Sequence, residues 1–199
     1  MASTFDRTGT NIDKSTQTLM KIDYTHHEIH EGNHYTLMYG VSDIGALTTP
    51  NDMMTLTFST PDTRKWSHMV MLFLCVGQTL CQIREGGSTG ASPTGAITAY
   101  NNNRNSSNTS GLLDIGATAG RMSYDATADS GGSLIVNEYI PGATTNQGKA
   151  GANAESSSRF EWVLKQNTRY QISMTQTANV GASIVLHWYE HTDKVSVVS

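Results

Sequence analysis

Charge is scarce in this sequence. Only 15% of its 199 residues are Asp, Glu, Lys or Arg, against roughly 25% in an average soluble protein. Thirteen basic residues face 17 acidic ones, for a net charge of -4. No basic stripe is present, which argues against wrapping nucleic acid. Apolar runs are short too. The longest, Met69 to Val76, falls far below the roughly 20 residues of a membrane helix, so no membrane partner is expected. The opening MASTFDRTGT holds no apolar stretch of the signal-peptide kind. Cys75 and Cys81 are the two cysteines, too few for a disulfide framework. Both read as small buried thiols. Catalytic signatures are missing as well: there is no GxSxG elbow and no GxxxxGKS/T phosphate loop. Asp125, Asp129, Glu138 and Glu155 could serve as paired acids only if something fixed their separation, and nothing in the sequence does. No enzymatic activity and no cofactor are expected.

The polarity that charge does not supply comes from Thr, Ser, Asn and Gly. These residues loosen or compete with helical backbone, so strands and turns are favoured. Period-two alternation bears this out along the chain. In Met53 to Ser59, Leu56 and Phe58 should face inward and Thr55, Thr57 and Ser59 outward. Near the end, Phe160, Trp162 and Leu164, then Tyr170, Ile172 and Met174, then Ile184, Leu186 and Trp188 each share a face. They read as a three-strand antiparallel meander with an apolar side that needs a second layer. Trp66 to Val76 is apolar on both parities, as in a strand covered on both faces or a buried helix. The break at Gly77-Gln78 favours a hairpin with Thr79 to Arg84, which would set Cys75 opposite Leu80 and Cys81 opposite Leu74. Tyr24 to His30 and His34 to Val41, joined by Glu31-Gly32-Asn33, suggest another hairpin. Shorter strand candidates lie at Ala96 to Tyr100 and Leu134 to Ile140 between Gly-, Ser- and Asn-rich loops. The expected fold is all-β: an antiparallel sandwich, jelly-roll-like, over residues 22–199 as a single domain. Residues 1–21 are polar and unpatterned, a tail or an extended arm that orders on a neighbour.

Histidines gather at two places. As strand residues, His26, Glu28 and His30 would share a face, and so would His187, Tyr189 and His191. That makes His26, His30, His187 and His191 weak metal candidates. HEIH is not the helical HExxH motif, and structural histidines are the plainer reading, so no metal is expected. The run Asn101 to Ser110 (NNNRNSSNTS) reads as a polar contact loop. Its amides can satisfy a neighbour's backbone, and Arg104 adds a forked donor. Two N-x-S/T sequons, at Asn105 and Asn108, would matter only in a secreted eukaryotic protein. Tyr100, Tyr124 and Tyr139 could build a sugar-stacking platform, whereas Trp162 and Trp188 belong with the core by parity.

Three stretches taken together, THHEIHEGNHY at Thr25 to Tyr35, NNNRNSSNTS at Asn101 to Ser110, and the FEWVLKQNTRYQISMT and ASIVLHWYEHT blocks between Phe160 and Thr192, resemble a family of small structural proteins of tailed bacteriophages. These are head decoration or cement proteins found with the major capsid protein. The resemblance covers about half of the chain, and carries no catalytic residues. It implies a virion component on the capsid exterior, assembled in the host cytoplasm, built on a β-sandwich and often trimeric. The implied partners are the major capsid protein and further copies of the chain. Candidate partner-binding residues are Asn101, Asn102, Asn103, Arg104 and Asn105 in the loop, with Phe5, Arg7 and Ile12 in the arm. Two other readings stay open: a receptor- or carbohydrate-binding sandwich on a virion surface or fibre, and a metal-dependent cupin-like enzyme.

Overall fold

Alternating apolar residues can cover only one face of a strand, so two sheets must meet. The computed structural model describes residues 24–41, 53–63, 65–75, 77–88, 93–125, 128–141, 161–176 and 181–192, plus the short strand segments 11–12, 19–20 and 152–154. Two antiparallel sheets pack face to face. In the first, β3 (His34–Val41), β5 (Lys65–Cys75), β8 (Tyr100–Asn101), β11 (Ala152–Ala154) and β14 (Ala182–Thr192) run in the order β11-β5-β14-β3-β8, with β12 (Trp162–Val163) also on β5. In the second, β4 (Met53–Ser59), β6 (Thr79–Glu85), β7 (Gly95–Thr98), β9 (Arg121–Tyr124), β10 (Ser133–Ile140) and β13 (Arg169–Gln176) run β10-β6-β13-β4-β9-β7. The chain crosses between sheets at β3 to β4, β4 to β5, β5 to β6, β7 to β8, β8 to β9, β10 to β11, β12 to β13 and β13 to β14. With β14 between β3 and β5, and β13 between β4 and β6, this is jelly-roll connectivity.

That connectivity corrects three expectations. Cys75 and Cys81 do not lie on one hairpin: Cys75 pairs with Ala152 and Ala182, and Cys81 with Glu138 and Met174, in opposite sheets. Both are free and buried. Burial, with Cys75 and Glu138 nearby, pushes the Cys81 thiol up to about 12, so it is a poor nucleophile at neutral pH. Nor is there a C-terminal meander, because β12 and β14 belong to one sheet and β13 to the other. The parity was read correctly for the described residues, since Leu164, Tyr170, Ile172, Met174, Ile184, Leu186 and Trp188 are all buried and Trp162 packs half-buried against them, while Phe160 lies outside the described residues. Alternation reports which face is apolar. It is silent on which sheet the strand joins.

The third correction concerns Tyr24 to His30. It is helix α1 (Tyr24–Glu31), not a strand. Glu31-Gly32-Asn33 is its C-cap rather than a hairpin loop: Asn33 N donates to Glu28 O (2.9 Å) and Gly32 N to Ile29 O (3.1 Å). This is the Schellman pair of bonds. Gly32 sits at φ 74°, and a Cβ there would stand 2.3 Å from Ser106 Oγ. Only glycine meets both demands. Among the described residues, no helix is long and apolar enough to cross a membrane.

β4 also departs from its expected pattern. Leu56 and Phe58 are in the core, but Thr55 and Thr57 are fully buried as well. The outer face of the second sheet is covered by a polar layer. Gln171 donates to Thr57 Oγ1 (3.1 Å) and accepts from Asp129 N (2.7 Å), while Arg169 grips Asp129 at 2.7 and 2.8 Å. In the N-terminal segment, β1 (Asn11–Ile12) pairs antiparallel with β2 (Leu19–Met20).

Candidate partner interface

The first sheet's outer face carries the side chains at alternate positions of β3 and β14. The pairing sets His34 beside Tyr189, Thr36 beside His187 and Met38 beside Val185. Helix α1 packs over one end of this face, with Tyr24 edge-on to Tyr189 and His191 at 5.6 and 5.7 Å between ring centroids.

The last carbonyls of α1 have no partners within the helix. The Asn101 to Ser110 loop supplies them. Asn103 Nδ2 donates to His30 O (3.0 Å), Asn101 Nδ2 to Gly32 O (2.7 Å) and Asn108 Nδ2 to Gly32 O (3.2 Å). The loop is braced internally as well. Asn103 N donates to Asn101 Oδ1 (2.9 Å) and Asn105 N to Asn103 Oδ1 (3.1 Å), the Asx-turn arrangement that asparagine favours. The THHEIHEGNHY and NNNRNSSNTS stretches, about 70 residues apart, therefore form one unit. Spacing along the chain gave no sign of this, because a helix C-cap supplied by a distant loop leaves no periodic trace.

A directional relay continues from the loop onto the sheet. Asn102 Nδ2 donates to His34 Nδ1 (2.8 Å), Thr36 Oγ1 donates to Asn102 Oδ1 (2.7 Å), and Thr36 Oγ1 lies 3.0 Å from His187 Nδ1. Because the Thr36 proton is committed to Asn102, the His187 Nδ1–H must donate to Thr36. His34 must keep Nδ1 unprotonated to accept from the amide. Burial lowers the pKa of His34, helped by His187 and opposed by Glu28; burial also lowers that of His187. A lowered folded-state value means stability that is whole above the unfolded value near 6.5 and is lost as pH falls through the folded values. The melting temperature should therefore drop on acidification below about pH 6.5, by about 2–4 °C for each kcal/mol lost in a domain of this size. Thermal melts across that range check this, and His34→Asn should flatten the slope. A slope unchanged in that variant would remove His34 from the account.

The expected partner-binding residues are thus divided. Asn101 is buried and Asn103 half-buried, both spent on the chain's own backbone. Asn102, Arg104 and Asn105 remain exposed. Arg104 sits 5.3 Å over the Tyr100 ring, a cation–π contact. Tyr100 is 60% exposed and Met38 65%; both lie on the outer face beside Thr36. Met38 was missed from sequence, its strand position being clear only once β3 is placed against β14. Phe5 and Arg7 lie outside the described residues, as does the side chain of Ile12.

The four metal candidates do not converge. His26 and His30 pair through Nε2 atoms 3.0 Å apart on α1, His187 joins the relay, and His191 meets His68, which sequence reasoning did not single out. Among the described residues, no group of three or more His, Cys, Asp or Glu side chains is arranged to hold a metal. The three tyrosines do not form a platform either. Tyr100 edges the first sheet, Tyr139 lies on β10 at an edge of the second, and Tyr124 packs on Tyr39. Compared with protein-family models, curated proteins and solved structures, the chain finds no match.

Proposed function

We propose that the chain is a non-enzymatic virion structural protein, a decoration or cement protein that sits on the outside of a tailed-phage head, binds the major capsid protein and self-associates as a homotrimer. One observation carries the reading. The histidine-rich and asparagine-rich stretches that bear the family resemblance build a single braced unit, and its outward side is a rim of Tyr100, Arg104, Asn105 and Met38. A rim of this kind suits docking, since aromatic and Arg side chains dominate interface energetics. The jelly roll adds fold-level analogy only; capsid domains use it, and so do lectins and cupins.

The test is binding of purified protein to heads that lack it, followed by cosedimentation. Wild-type protein should saturate the heads. Arg104→Ala and Tyr100→Ala should each weaken binding, by about 30-fold if both are anchors worth ~2 kcal/mol. Binding unchanged in both variants would move the contact elsewhere. No binding to heads, with adsorption to host glycans instead, would replace this reading with a carbohydrate-binding one.

A further inference from the structure

On the outer face of the first sheet, the pairing sets His68 beside Tyr189 and His191 beside Trp66. The two imidazoles are thus diagonal neighbours across β5 and β14. Their Nε2 atoms stand 2.8 Å apart and their ring centroids 4.6 Å. Behind His68, Nδ1 lies 2.6 Å from Glu161 Oε1. A carboxylate there accepts, so Nδ1 carries the proton and Nε2 offers a lone pair toward His191. Behind His191, Nδ1 faces the Thr192 carbonyl at 3.4 Å, again an acceptor. With both protons on Nδ1, the two Nε2 lone pairs stand 2.8 Å apart, a repulsive arrangement that a bound cation relieves.

We propose that His68 and His191 are the protein ligands of a divalent transition-metal site on this face. Imidazole nitrogens bound at about 2.0–2.1 Å and at the right angles of a square-planar or tetragonal copper or nickel ion stand about 2.8–3.0 Å apart, which matches the observed separation. The surroundings are those of an oriented ligand. Glu161 is itself fixed by the Tyr189 hydroxyl (2.5 Å), and the Tyr189 ring stacks on His68 at 4.7 Å. A carboxylate behind a histidine sets its tautomer and raises its basicity as a ligand. The His68 side chain is 19% exposed, and His191 lines an open cleft with Tyr24, His27 and Lys65, so an ion can reach it. Two nitrogen donors select copper, nickel or zinc over magnesium or calcium. Water fills the remaining positions. The His26–His30 pair has a similar separation on α1, and both of its rings are exposed. It is the internal competitor.

The experiment titrates the full chain with copper(II) and, separately, zinc(II) chloride, followed by calorimetry and, for copper, electron paramagnetic resonance. One equivalent should bind, with a nitrogen-coordinated copper signal. His68→Ala and His191→Ala should each weaken this binding at least about tenfold, Glu161→Gln about tenfold, and His26→Ala should leave it intact. Thermal melts of each variant establish that it is folded. If His68→Ala does not fold, His191→Ala and His191→Asn at the end of β14 decide the matter. No saturable uptake by the wild type would leave only an imidazole–imidazole hydrogen bond and overturn the proposal. So would uptake that survives the His191 substitutions and is lost in His26→Ala.

Discussion

Glu190→Ala is expected to destabilise the protein by about 3–5 kcal/mol. Glu190 is 3% exposed and points inward beside Trp188. Its carboxylate accepts from Ser110 Oγ (2.5 Å), Gly111 N (2.9 and 3.1 Å) and Trp188 Nε1 (3.0 Å). It thereby pins the end of the asparagine loop to the last strand. Alanine would leave the part-buried Gly111 amide without its acceptor and the buried indole N–H with only its longer bond to Ser110 Oγ (3.3 Å), a lost acceptor costing about 1–3 kcal/mol. The Ser110 hydroxyl can rotate and loses less. Glu190→Gln keeps the shape and one oxygen acceptor, so it should lose roughly half as much. Urea denaturation at neutral pH measures both. Near-equal stability of Glu190→Ala and wild type would show that the loop is held by other contacts.

Asp129→Ala should cost a similar amount, about 3–5 kcal/mol, for a different reason. The Asp129 side chain is 1% exposed and that of Arg169 only 13%. The two form a bidentate pair at 2.7 and 2.8 Å. Removing the carboxylate strands the guanidinium in a place where water cannot fully solvate it. The double substitution Asp129→Leu with Arg169→Met removes both charges and should recover much of the loss, because the pair's attraction offsets a large desolvation cost. Should the double variant be no more stable than Asp129→Ala, the stranded charge is not the cause. The loss would then come from disturbance of the surrounding polar layer, in which Gln171 bridges the Asp129 backbone N–H and Thr57.

The sequence made some of this fold plain and hid the rest, for physical reasons. Period-two alternation marked Leu56, Phe58, Tyr170, Ile172, Ile184 and Trp188 as core, because a strand that buries one face must alternate; all six are buried. The same pattern could not tell neighbouring strands in one sheet from strands in facing sheets, and in a jelly roll successive strands change sheet. The Trp66 to Arg84 hairpin and the C-terminal meander were therefore read where the chain passes from one sheet to the other. Thr55 and Thr57 were read as exposed because hydroxyls do not announce a polar cover made by Gln171 and Asp129. Helix α1 was read as a strand because its single buried side chain is Glu28, so no apolar stripe marks it. Its clearest signal was Gly32 after Glu31, a helix stop rather than a turn. At the candidate interface, the amides and histidines were visible as residue types. Their use was not: that Asn101 and Asn103 serve the helix, and that His68 meets His191, depends on pairings that only the register supplies.

The proposed role is that of a two-sheet body that adheres to a capsid shell. Electron cryomicroscopy of the virion that carries this chain tests it most directly. The expected result is jelly-roll density on the outer surface of the head, with Tyr100 and Arg104 against the major capsid protein and copies grouped in threes. Density for this chain in the tail or a fibre, or a virion without it, would contradict the account.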